Sequence, residues 1–142
     1  MPSHYDPKQK CRVGVMDEPQ FYAECNPASS AYFRALIAAW LKASGTLKWG
    51  AGGVSLRGMV NGKDVSVCFL APQFASKQDR IELACTTLAK QIGAARNDKL
   101  GKSLRSAAGE KVLGKTMISV VQPGTLPDTR RKALTQAFLD LL

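Results

Sequence analysis

The chain has 142 residues, of which 45% are hydrophobic and 22% charged. This balance excludes a disordered or low-complexity protein and fits one globular domain. The net charge of +9 sets up a field that draws nucleic acid, anionic lipid or acidic proteins without specifying a fold. The longest apolar run, Ala35–Leu41, falls far short of the ~20 residues of a helical membrane span.

Residues 1–10, MPSHYDPKQK, lack the apolar core of a secretory leader and are expected to be a loose start. The domain proper is expected to run from 11 to 142. Cys11, Cys25, Cys68 and Cys85 are scattered with no C-x-x-C pair, which predicts free, mostly buried thiols in a reducing cytoplasm. His4 is the sole histidine, so no metal centre is expected, and no cofactor is implied.

Cys11–Met16 alternates as a short edge strand. Asp17–Asn26 reads as a connection anchored by Phe21 and Tyr22. Asn26-Pro27 then opens a helix, with an N-cap followed by proline at the first helical position. Phe33, Leu36, Ile37, Trp40 and Leu41 line one face of it, and Gly45 is expected to be its left-handed stop. Thr46–Trp49 starts a strand that Gly50-Ala51-Gly52-Gly53 interrupts.

The next segment, VSLRGMVNGKDVSVCFL (54–70), solves its own register. Asn61-Gly62 is a type I′ turn signal, since both positions need φ > 0. Folding about it sets Val60 opposite Lys63, Met59 opposite Asp64, Gly58 opposite Val65 and Arg57 opposite Ser66. Leu56 then faces Val67, Ser55 faces Cys68 and Val54 faces Phe69. Val54, Leu56, Val65, Val67 and Phe69 then share an apolar face, and Cys68 joins Ser55, Arg57 and Ser66 on the polar one.

Ser76 is expected to start another helix, with Asp79 in capping-box position and Ile81, Ala84, Cys85, Leu88 and Ile92 inward. Leu100, Leu104 and Ala108 allow a short further helix among four glycines. Thr116–Val121 is a buried strand, Pro123-Gly124 a turn, and Asp128 or Thr125 caps a last helix carrying Leu134, Phe138 and Leu141. The pattern predicts an α+β domain of two layers. A small antiparallel or mixed sheet is centred on the hairpin, with helices packed mainly on one face.

Gly109–Thr116, GEKVLGKT, fits the phosphate-loop pattern G-x-x-x-x-G-K-[ST]. That motif works when a strand precedes it and a helix follows, so that helical amides cradle phosphate. Here a β-rich stretch follows, and the match is expected to be accidental. Cys68 is the thiol to weigh for catalysis, beside Arg57, but no base is placed near it.

The basic residues carry the functional expectation. From Lys90 to Lys115, seven cations stand against two acids, +5 of the total +9. Arg96, Lys99, Lys102 and Arg105 form a broad band that can follow a phosphate backbone, and Lys111 lies beyond them. Arg130, Arg131 and Lys132 occupy the first turn of the last helix, where cations oppose the helix dipole and an anion would relieve the conflict. A non-catalytic protein that binds nucleic acid or another polyanion is therefore expected. The alternative is a protein-interaction or homo-oligomerisation module meeting an acidic partner or a second copy; an enzyme using Cys68 or a phosphate loop comes third.

Overall fold

A computed structural model describes residues 1–72 and 78–142. The expected two-layer α+β arrangement is what it contains. β3 (Thr46–Trp49), β4 (Val54–Val60), β5 (Lys63–Ala71), β6 (Arg80–Ala84), β7 (Val112–Leu113) and β8 (Met117–Val121) form a sheet in the order β3-β4-β5-β6-β8-β7. Every neighbouring pair is antiparallel. A second, two-stranded sheet joins β1 (His4–Asp6) to β2 (Cys11–Val13). The helices are α1 (Glu18–Glu24), α2 (Pro27–Lys42), α3 (Cys85–Ile92), α4 (Ala94–Ala108) and α5 (Asp128–Leu139).

The hairpin turns at Asn61 and Gly62, whose φ values are 54° and 77°. Its register matches the sequence reading from Val60–Lys63 to Arg57–Ser66, then shifts, so that Leu56 faces Cys68 and Val54 faces Leu70. Val67 is the extra residue of a β-bulge. The shift exchanges faces beyond it. Cys68 points into the core at 3% exposure, while Phe69 moves to the other face, opposite Glu82. The Phe69 ring rests against Gly52 and Gly53, where a Cβ would stand 3.7 and 3.2 Å from Cζ. Those glycines belong to a chain reversal: Gly50 N–H donates to Gly53 O at 2.9 Å, and β3 folds back onto β4.

α2 starts as expected, the Asn26 carboxamide oxygen accepting from Ser29 N–H at 3.0 Å. Phe33, Leu36, Ile37 and Trp40 are buried, but Leu41 is 48% exposed. The helix stops through Ser44, at φ 71°. Gly45 serves a different need, since a Cβ there would collide with the Trp40 indole. Trp40 Nε1 donates to Arg57 O at 2.8 Å and Thr46 O at 3.2 Å, which satisfies the one polar atom of a fully buried indole.

Three further expectations change. Asp17–Asn26 is not a bare connection, because Asp17 caps α1 by accepting from Gln20 N–H at 2.9 Å. Seven residues are too few for helical periodicity to register. The helix expected from Ser76 begins only at Cys85. Ser76 lies outside the described residues, and Arg80–Ala84 is a strand between β5 and β8. Ile81 fits both periods, and pairing on both sides decides for the strand. Asp79 caps no helix of its own: fully buried, it accepts from Asn26 N–H at 3.0 Å and fixes the start of α2.

The N-terminal segment, expected to be loose, carries β1 and is tied to α1. Arg12 donates to both Glu24 carboxylate oxygens, at 2.6 and 3.0 Å, and to Ser3 Oγ at 2.9 Å. This pairing holds the Glu24 carboxyl below its ordinary pKa. All four cysteines are free, with Cys25 and Cys68 buried. Burial pushes the Cys25 thiol up to about 12 and also raises that of Cys68.

One apolar cluster unites the inward residues of the sheet with Leu100 and Leu104 of α4 and with Leu134 and Phe138 of α5. Among the described residues, no helix is long and apolar enough to cross a membrane.

Candidate nucleic-acid interface

α4 forms because Leu100, Leu104, Ala107 and Ala108 return to one face, which is buried. Gly93, at φ 89°, separates it from α3, and Gly109, at φ 55°, ends it. It runs 15 residues, longer than its glycines suggest, because α3 and α5 flank it and packing outweighs propensity.

At 100° per residue, Arg96 and Arg105 stand about 180° apart around the helix, with Lys99 and Lys102 between them. Lys99, Lys102, Arg105 and Ser106 are exposed on the outward face, with exposed Asp98 between Lys102 and Arg105. Lys99 and Lys102 make no ion pair among the described residues.

The two arginines at the margins have structural partners. Arg96 donates to Asn61 Oδ1 at 3.0 Å and to Leu141 O at 3.4 Å, tying the hairpin tip to the chain's end. Arg105 donates to Gly101 O at 3.4 Å and to Gly114 O at 3.2 Å, which fixes its guanidinium beside the turn before β8.

On that side, Cys85, Asn97, Asp98, Gly101, Lys102, Arg105, Lys115 and Ile118 line a half-open cavity of about 260 Å³. On the other side, a groove of about 460 Å³ runs between α4 and α5, lined by Ser103, Ser106, Thr129, Arg130 and Asp140 among others. Arg130 reaches the C-terminal end of α4, its Nη1 within 3.5 Å of where a Cβ on Gly109 would lie. A cation suits that end of the helix dipole.

The structure thus brings Lys99, Lys102, Arg105 and Arg130 around one helix and adds Lys115. Lys111 sits half-buried in a short 3₁₀ turn, Gly109–Lys111. Arg131 and Lys132 face elsewhere, into a groove of about 550 Å³ between α2 and α5 with Ala31, Tyr32, Ala35 and Thr135. The expected cap of α5 is also different: Pro127 holds the N-cap position, and Asp128 lies in the first turn. Its carboxylate takes Lys132 Nζ at 3.1 Å and Arg131 Nη2 at 3.4 Å. The clash of these cations with the helix dipole is therefore relieved from within the helix.

The phosphate-loop match does not have phosphate-loop geometry. Gly109–Lys111 is a 3₁₀ turn, Val112–Leu113 is β7, and Gly114 (φ 86°) leads through Lys115 into β8. No helix follows to offer amides. Lys115 nevertheless belongs to the cationic cavity, a place its spacing in the motif could not reveal. The sequence reading missed Ser103 and Ser106, which stand four residues after Lys99 and Lys102 and so beside them on the helix.

No protein-family model, curated protein or solved structure matches the chain.

Proposed function

We propose that this protein binds nucleic acid without catalysis, tracking phosphates along the outward face of α4. The observation that carries this reading is the continuity of that face. Exposed Lys99 and Lys102, which make no ion pair among the described residues, join the cavity of Lys102, Arg105 and Lys115 to the hydroxyl-lined groove of Arg130. Cations supply phosphate contacts, and serine and threonine hydroxyls add hydrogen bonds to phosphate oxygens. The rigid helix beneath them keeps their spacing.

Two features weigh against catalysis. The Cys68 thiol is sealed in the core with its pKa raised by burial, which suppresses the nucleophilic thiolate. The Gly109–Thr116 segment lacks the loop-to-helix step that would cradle a nucleotide.

The test is a salt titration of binding to a mixed-sequence oligonucleotide. Affinity should fall linearly on logarithmic axes as counterions are released. Absence of binding at ~50 mM salt would overturn the proposal. A clean dimer peak on gel filtration in that case would favour the interaction module instead.

A further inference from the structure

The cavity beside α4 differs from an open cationic face. Lys102 and Arg105 reach it from the helix and Lys115 from the turn before β8, so two separate elements converge on one half-open concave pocket. Asp98 also lines it; three positive charges minus one negative leave +2. Buried Ile118 and half-buried Cys85 complete the wall, with the Asn97 carboxamide at the side.

The arginine in this cavity is positioned, not loose. Its guanidinium donates to two carbonyls on facing elements, Gly101 O and Gly114 O. Glycine inside a helix costs about 1 kcal/mol relative to alanine. At 101 its bareness has a use, because a Cβ would stand 3.2 Å from Arg105 Nη1. An alanine there would crowd the guanidinium where it folds back over the helix.

We propose that this cavity is a phosphate-monoester site that takes the terminal phosphate of a nucleic-acid strand. A monoester carries roughly −1.5 to −2 at pH 7, which matches the local +2, whereas an internal diester carries a single negative charge. Shape agrees with charge. A terminal phosphate enters a concave space end-on, but an internal one is flanked by sugars on both sides. Lysine ammonium groups and the guanidinium fork supply charge-assisted donors to its oxygens. The inference rests on the nucleic-acid reading above and adds to it a preference for phosphorylated ends.

The experiment compares one labelled oligonucleotide sequence in three forms, with a 5′-phosphate, a 3′-phosphate or hydroxyls at both ends, by fluorescence anisotropy at ~100 mM salt. One phosphorylated form should bind about tenfold more tightly than the hydroxyl form, the scale of one or two charge-assisted contacts. Lys115→Ala should erase that advantage, so that the variant binds all three strands with equal affinity. Lys115 is exposed, and an unchanged melting curve checks that the variant is folded. As a second readout, the phosphorylated strand should slow alkylation of Cys85, followed by mass spectrometry of its peptide.

Equal binding of all three strands with a normal salt slope overturns the end site and leaves the proposed function standing. So does an end preference that survives Lys115→Ala. Failure of every strand to bind overturns both.

Discussion

The proposed interface makes a quantitative demand on Lys99 and Lys102. Both are exposed on α4 and free of ion pairs among the described residues, so neither supports the fold electrostatically. Arg96 and Arg105 are poorer probes, because each holds backbone or loop groups in place. Changing Lys99 and Lys102 together to Ala removes two phosphate contacts. At about 0.7–0.9 per contact, the slope of log affinity against log salt should flatten by roughly 1.4–1.8. Over a fourfold rise in salt, ~0.6 log units, the wild type should lose about tenfold more affinity than the variant. Stability should stay within about 0.5 kcal/mol, as for surface changes away from caps and core. Lys132→Ala is the internal control. Its ammonium is paired with Asp128 in the α2–α5 groove, so the slope should not move. The measurement is anisotropy of a labelled mixed-sequence strand at four or more salt concentrations, with urea unfolding in parallel. Identical slopes for wild type and the double variant, or an equal drop in Lys132→Ala, would refute the assignment of α4 as the phosphate-tracking face.

Other consequences can be checked singly. Gly62→Val should lower stability by more than ~1 kcal/mol, because a β-branched residue is strained at φ 77° although nothing lies within 4 Å to clash with it; an unchanged urea midpoint would show that strain is absent. A thiol reagent applied to the native protein should label exposed Cys11 and spare buried Cys68 until unfolding, and matching rates at the two sites would contradict the bulge that turns Cys68 inward. The Arg12–Glu24 pair predicts an acid dependence with a definite sign. Glu24 has a folded-state pKa below its unfolded one, mainly through the hydrogen bonds from Arg12, so its contribution is present above the unfolded value of ~4.3 and lost as pH falls through the folded value. The stability gap between wild type and Glu24→Gln should therefore narrow from pH ~6 to pH ~3, and a constant gap across that range would falsify the assigned partner.

What the sequence determined by itself was local. Asn61-Gly62 set the hairpin, because φ > 0 at two successive positions is a chemical requirement that those side chains meet. Asn26-Pro27 set the start of α2, where cap and first-turn chemistry act within four residues. The apolar spacing of Leu100 and Leu104 set the inward face of α4, and hence which lysines face out. Tertiary structure decided whatever depended on partners distant in sequence. Ile81 satisfies the helical and the strand period alike, and only hydrogen bonds to β5 and β8 on both sides made its segment a central strand. The bulge at Val67 leaves no mark in the alternation of letters, yet it carried Cys68 into the core and Phe69 out against Gly52 and Gly53. The basic residues divided in the same way. Composition showed that they were many, but their grouping around α4, and the separation of Arg131 and Lys132 into another groove, came from helix packing. A side chain's charge is fixed by its chemistry; its neighbours are fixed by contacts between distant parts of the chain.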